Sequence, residues 1–445
     1  MPGNRLSPES DMNVTKPTRW FVRIALVFVV LSADNSRAEP ADRNTLLLTN
    51  ARVLDLMGDR WLEGRAVLIE NGRIVSVAPV AQTKAPAGAK TIDLSGLYLL
   101  PGLMDLHTHL LLHPYNEAPW NDQVLKESLE LRTIRAVAAG RATLEAGFTT
   151  IRDLGTEGAA NADVALRDAF AAGLTPGPRV LTTTRAIVAT GCYGPQGFDP
   201  RWDVPYGADQ ATGVDECRRV VRKQIAAGAD WIKFYADYHR RAGAPVTPTF
   251  TVEEMKEIVD EAKSAGLRVA AHATTSEGIR RAVHAGVATI EHGYEASDEV
   301  LKLMIERGVS LCPTLAAAEA YARYQGWKPG TPPPEDLRRS QETFARAVKL
   351  GVRIACGSDA GVFAHGENAR ELELMVAGGM TPAAALRAAT TTAASVIDRE
   401  KDVGRIDAGY LADLIVVRGD PLKDVGALRK PLMVLKDGKV AIDRR

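Results

Sequence analysis

The sequence predicts an α/β chain. A (β/α)8 TIM-type barrel would span residues 99–403, with a small β-sandwich drawn from both chain ends, residues 39–98 and 404–445. Three observations predict it. Through the middle of the chain, short apolar runs alternate with amphipathic helical stretches, the pattern of parallel βα units. At both ends, short strands are separated by turn dipeptides. The chain has 445 residues, whereas a barrel takes roughly 250, so a second small domain and a targeting segment have room.

The elements follow in order. Residues 1–38 read as a signal segment: Lys16, Arg19 and Arg23 precede the apolar run Ile24 to Leu31, and Ser36-Arg37-Ala38 offers small residues for cleavage. Export to the periplasm or medium is expected, with a mature chain beginning near Glu39; an uncleaved anchor is the alternative, and Met12 is a second candidate start. The run is short for a bilayer span, and no other stretch reads as transmembrane. The N-terminal half of the sandwich should contain strands at 45–54, 66–69 and 73–77, the last two joined at Asn71-Gly72. Such a dipeptide suits the left-handed conformation that a two-residue hairpin needs. The C-terminal half repeats the pattern, with strands at 412–417, 431–435 and 439–442 and a turn at Asp437-Gly438. Barrel strands are expected near 103–108, 148–153, 179–184, 229–235, 267–273, 287–292, 309–313 and 353–359, with helices at 126–146, 216–227, 252–265, 276–285 and 336–350.

Charge narrows the partners. Lys plus Arg number 55, as do Asp plus Glu, and no long basic run interrupts the balance, so nucleic acid is not expected. Cys192, Cys217, Cys312 and Cys356 form no CxxC pair. They argue against a zinc ribbon and leave either one disulfide or four thiols.

Active sites of such barrels lie at the carboxyl ends of the strands. The first strand ends in His107-Thr108-His109, and residues two apart on a strand share a face. The fourth places Lys233 within the apolar run Trp231-Ile232-Lys233-Phe234-Tyr235. Burial of an ammonium is costly, so such a lysine favours its neutral amine, which can add carbon dioxide to form an anionic carbamate. The fifth strand supplies His272, the sixth His292, and the eighth Asp359. Imidazole and carboxylate donors suit zinc and similar divalent cations.

These residues, with Pro101-Gly102-Leu103-Met104-Asp105-Leu106-His107-Thr108-His109, Ile290-Glu291-His292-Gly293, Gly357-Ser358-Asp359-Ala360-Gly361 and the stretch Gly404 to Leu414, resemble the amidohydrolase superfamily. The branch is that of imidazolonepropionase-like hydrolases, Xaa-Pro dipeptidases, basic-residue carboxypeptidases and ochratoxin-hydrolysing amidases. The resemblance implies a binuclear centre. His107, His109 and Asp359 would hold one metal, His272 and His292 the other, and carboxylated Lys233 and a hydroxide would bridge them. Zinc is the expected ion, with manganese or cobalt as substitutes. Asp359 would act as general base and then acid. The implied substrate is a small amide or peptide cleaved beside a C-terminal carboxylate: a dipeptide, an N-acyl amino acid or an ochratoxin-like amide. A homo-oligomer is expected.

One departure stands out. Where the branch often carries a histidine after the third strand, this chain reads Thr190-Gly191-Cys192-Tyr193-Gly194. Tyr193 either donates a hydrogen bond to the substrate carbonyl or merely packs. In the loop after Lys233, His239, Arg240 and Arg241 are candidates to meet a substrate carboxylate, since the guanidinium fork suits one. His365, beyond Asp359, is a candidate lining residue. A lactonase or phosphotriesterase would share the metal set. A deaminase would usually lack the lysine, and a non-catalytic member would usually have lost a ligand.

Overall fold

The computed structural model describes residues 45–199, 201–241 and 243–445; the signal segment lies outside them. Among the described residues no helix is long and apolar enough to cross a membrane.

Both chain ends meet in one mixed eight-stranded sheet. Its N-terminal members are Thr45–Asp55, Arg60–Glu70, Arg73–Pro79, Lys90–Asp93 and Tyr98–Pro101; its C-terminal members are Leu414–Val417, Met433–Lys436 and Lys439–Asp443. The two predicted hairpins are present, pairing Glu70 with Arg73 and Lys436 with Lys439. All four turn residues have positive φ: Asn71 at 50°, Gly72 at 81°, Asp437 at 49° and Gly438 at 73°.

 These values are those of a two-residue turn matched to strand twist. The hairpin tips meet, and a Cβ on Gly438 would lie 2.7 Å from the Gly72 Cα, so glycine is required there. Two strands that the sequence reading did not single out, Lys90–Asp93 and Tyr98–Pro101, pair in parallel with Thr45–Asp55. They are short, and neither alternates cleanly.

Strand periodicity divides the sheet's side chains between two cores. Leu414 and Val416 enter a cluster with Leu48, Val67, Ile69 and Leu99. Their neighbours Ile415 and Val417 enter the larger core with Phe148 and Phe344. One face of the sheet is thus its own core, and the other packs on the rest of the chain.

In the central region, Leu103–Thr108, Phe148–Asp153 and Arg179–Thr182 form one parallel ladder, and Trp231–Tyr235, Arg268–Thr275, Thr289–Glu295 and Ser310–Cys312 lie in another. The Asp230 N–H donates to Thr182 O at 2.8 Å and links the two. The expected eighth strand, 353–359, is not a regular strand. It contributes isolated parallel bridges, Ile354 with Leu311 and Ala360 with Thr108, and the Asp359 N–H donates to His107 O at 2.7 Å. The cause is local: Asp359 has φ 63°, which turns the chain out of the extended region.

The predicted helices are present with small shifts. The helix expected at 126–146 is Leu129–Glu145, started by the Ser128 side chain accepting from Leu131 N, and an unpredicted short helix, Trp120–Leu125, precedes it. Val252–Ser264 opens on a Thr251–Glu254 capping box, and Ser276–Ala285 closes on Gly286. All four cysteines are buried and free, which is the four-thiol alternative.

Candidate metal centre

The strand ends bring the predicted histidines and aspartate to one place. Donor atoms of His107, His292 and Asp359 all lie within 4.8 Å of one another. Asp359 Oδ1 is 3.5 Å from His107 Nε2 and 3.3 Å from His109 Nε2. His272 and His292 have ring centroids 4.5 Å apart. Lys233 is buried, its Nζ 5.6 Å from the Tyr235 ring centroid.

Each imidazole is oriented by a partner on its other nitrogen. His107 Nδ1 donates to Glu291 Oε2 at 2.9 Å, and His109 Nδ1 donates to Gly155 O at 2.8 Å. His292 Nδ1 lies 2.8 Å from Thr314 Oγ1, whose own hydroxyl donates to Pro313 O. These bonds leave Nε2 of all three facing the site. His272 Nε2 faces Asp237 Oδ1 at 3.8 Å, which leaves Nδ1. Asp237 in turn accepts from Thr274 N at 3.0 Å and Thr275 N at 2.8 Å.

Electrostatics keep most of these donors ready for a cation. Burial, aided by Lys233, pushes His107 down to about 4; burial and His107 push His292 down to about 3; burial pushes His272 well down. Burial also lowers Lys233 to about 8, against the pull of Glu291 and Asp359. His109 is the exception. Burial opposes its charge, yet Asp359, Glu157 and Asp153 raise it to about 9. For Asp359, burial opposes ionisation, but His107 and His109 hold its carboxyl well below the usual range. Neutral imidazoles with free nitrogens beside an ionised carboxylate are a donor set that fits a divalent cation.

Beneath the site sits a buried charge pair that the sequence reading missed. Arg152, wholly buried, donates to Glu291 Oε1 at 2.9 Å and to Leu106 O at 2.8 Å, and its guanidinium lies 4.4 Å from the Trp231 ring centroid. Asp105 ties together the segments that carry His107 and Asp359, accepting from His107 N at 3.1 Å, Ser358 N at 2.9 Å and Asn368 Nδ2 at 2.8 Å. Glu291 and Asp105 stand inside the motifs quoted above. Nothing in the sequence marks Arg152.

One cavity opens on the centre, and a second adjoins it. The first, of about 250 Å³, is lined by His272, His292 and Asp359 together with Tyr115, Tyr294 and Tyr321. The second, of about 550 Å³, shares Tyr115, Tyr321 and Gln325 with the first and adds Trp120, Tyr193 and Tyr238. Tyr193 therefore faces the approach to the site, but its hydroxyl donates to Glu157 Oε2 at 2.6 Å and is committed there rather than to a substrate carbonyl.

The loop residues lie elsewhere. His239 Nδ1 bonds Ala244 O within the hairpin Asp237–His239/Val246–Pro248. Arg240 donates to Pro248 O at 2.8 Å, and Arg240 and Arg241 are exposed. Neither arginine lines either cavity, because the hairpin turns its tip away.

His365 is a brace, not a lining residue. Its Nε2 donates to His109 O at 3.1 Å, and Nδ1 faces Thr143 Oγ1 at 3.4 Å. Burial lowers it from 6.5 to about 4. The folded chain therefore resists charging a group that charges freely once unfolded. Its contribution to stability is present above pH 6.5 and is lost as pH falls towards 4. Denaturant titrations of the metal-free protein should show this loss, and His365→Gln should flatten the profile over that window. An unchanged profile would remove His365 as its source.

Strand-end imidazoles and a carboxylate gathered around an aromatic cavity define a hydrolytic enzyme with a candidate metal site. The chain belongs to the amidohydrolase family, whose model matches residues 98–441. Among curated relatives, ochratoxinase from Aspergillus niger is 32% identical over 374 residues, covering 77% of this chain and 75% of that protein. Among solved structures, a Xaa-Pro dipeptidase with bound methionine in the active site superposes with TM-score 0.80 at 32% identity, covering 89% of this chain and 99% of the other. A prolidase complexed with n-methylphosphonate-L-proline gives 0.79 at 32% identity, with 90% and 100% covered.

Proposed function

We propose that the chain is a binuclear metal-dependent amide hydrolase on a closed (β/α)8 barrel, with the β-sandwich of residues 39–98 and 404–445 beside it. The observation that carries this reading is the clustering of His107, His292 and Asp359 donor atoms, with His109 Nε2 3.3 Å from the same aspartate. His107, His109 and Asp359 would hold one zinc ion, His272 and His292 the other, and Lys233 as its carbamate would join them. When bound, such ions polarise an amide carbonyl and lower the pKa of water. Asp359, ionised and beside the cavity, takes the proton of the attacking water and returns it to the leaving amine. The buried partners Glu291, Gly155 and Thr314 keep the imidazoles aimed while this happens. Export through residues 1–38 to the periplasm or medium, and assembly as a homo-oligomer, belong to the same reading.

The substrate proposed is an amide next to a C-terminal carboxylate, supported by the dipeptidase and prolidase likenesses. Its carboxylate would meet the neutral donors Tyr115 and Gln325 of the site cavity, in place of the arginines expected from sequence. The test uses the full zinc-loaded chain, reconstituted in labelled bicarbonate, with N-acyl-phenylalanine and its C-terminal amide. Expected are two zinc ions per chain, a carbamate carbon signal that Lys233→Ala abolishes, and preference for the free acid. Arg240→Ala and Arg241→Ala should each change kcat/KM by no more than about twofold. One ion or none, or equal rates for acid and amide with faster turnover of lactones, would overturn the reading.

A further inference from the structure

The chamber beside the metal centre is built of aromatic rings. Trp120 and Tyr193 have centroids 5.0 Å apart, as do Tyr193 and Tyr238. Tyr193 meets Tyr235 at 4.4 Å, and Tyr235 stacks on His272 at 4.4 Å and 20°. One aromatic wall therefore runs from the chamber to an imidazole of the metal centre. Behind it Glu157, 1% exposed, accepts from Trp120 Nε1 at 2.8 Å and from the Tyr193 hydroxyl at 2.6 Å. Asp336 is exposed at the rim of the adjoining cavity.

Among the described residues, neither lysine nor arginine lines either cavity. Two guanidiniums stand behind the walls. Arg132 is spent on the carbonyls of Leu111, Thr156 and Glu157, and Arg240 on that of Pro248.

Ring faces carry negative potential and attract cations, most strongly when the site is desolvated. A ring whose N–H or O–H donates to a carboxylate is richer in electrons still. An anion entering the chamber would give up water and meet ring faces with no cation among them, since Arg132 is held behind the wall on backbone carbonyls, a placement that is costly. An ammonium gains from the ring faces, two of which donate to Glu157.

We propose that this chamber binds a positively charged group, so that the enzyme selects amides carrying an ammonium a few bonds from the attacked carbonyl. The shared residues Tyr115, Tyr321 and Gln325 join the two cavities, so one substrate can lie across both. The catalytic consequence rests on the amide-hydrolase reading; the binding itself does not.

The test is calorimetric titration of the full chain, with and without zinc, using three probes of one shape: choline, the neutral dimethylbutanol and the anionic dimethylbutyrate. Choline should bind at least about tenfold more tightly than the alcohol, and the carboxylate most weakly to the zinc-free chain. Tyr238→Leu, which breaks no hydrogen bond of the Glu157 network, should erase most of the preference for choline, as should Trp120→Leu if it folds. Equal binding of choline and the alcohol, tighter binding of the carboxylate to the zinc-free chain, or a preference that survives Tyr238→Leu would overturn the proposal. A choline preference without any amide hydrolysis would instead sink the amide reading and leave the chamber assignment standing.

Discussion

Asp359→Asn is expected to lower kcat/KM by roughly 10²–10⁴-fold, the range for loss of a positioned general acid–base group. The substitution is nearly isosteric, and asparagine tolerates left-handed backbone, so the φ of 63° at this position should persist. Lost instead is a charge that sits 3.3 Å from His109 Nε2 and 3.5 Å from His107 Nε2. The amide can neither take a proton from water nor balance a cation as a carboxylate does. Metal content and single-turnover rate should be measured on the same sample, because one loss reports binding and the other proton transfer. A variant that keeps its metal and most of its rate would remove Asp359 from the chemistry.

Arg152→Met should be the most destabilising single change at this centre. The guanidinium and Glu291 are both wholly inaccessible and pair at 2.9 Å. Removing one member of a buried pair leaves an uncompensated charge and typically costs about 3–5 kcal/mol. Glu291 also orients His107, so affinity for a divalent cation should fall with stability. Arg152→Met combined with Glu291→Gln removes the stranded charge and should recover part of the stability while leaving His107 poorly held. Denaturant unfolding with and without zinc separates the two effects. A loss below about 1 kcal/mol for the single variant would be typical of an ordinary surface residue and would refute this role.

The candidate site residues were legible because strands put residues two apart on one face and because polar residues ending apolar runs are conspicuous. His107, His109, Lys233 and His272 follow that rule. The rule breaks at Glu291 and His292. Adjacent strand residues should face opposite ways, yet Glu291 bonds His107 Nδ1 while the His292 ring lies 5.0 Å from the His107 ring. His292 has φ 73°, which turns the chain so that both address the same imidazole, and no periodicity announces such a turn. The same holds for Asp359, whose left-handed backbone dissolves the expected eighth strand into bridges. Arg240 and Arg241 misled for a different reason. Sequence shows that a loop starts at the site, but the small hairpin that carries its tip away depends on pairing Asp237–His239 with Val246–Pro248. Glu157 and Trp120 were invisible because their value lies in a contact with Tyr193, tens of residues further on.

The sheet shared by the two chain ends sets the order in which the protein can be assembled. Tyr98–Pro101 is paired on one side by Leu414–Val417, and Trp61 Nε1 reaches Asp420, 359 residues away. During synthesis the N-terminal strands must wait, with one edge unpaired, until nearly the whole central region has emerged. Contacts of such separation slow folding, since loop closure precedes any reward from pairing. The hairpin tips that meet at Gly72 and Gly438 then act as a late latch, and the finished sheet records that translation has passed the last residue of the candidate site.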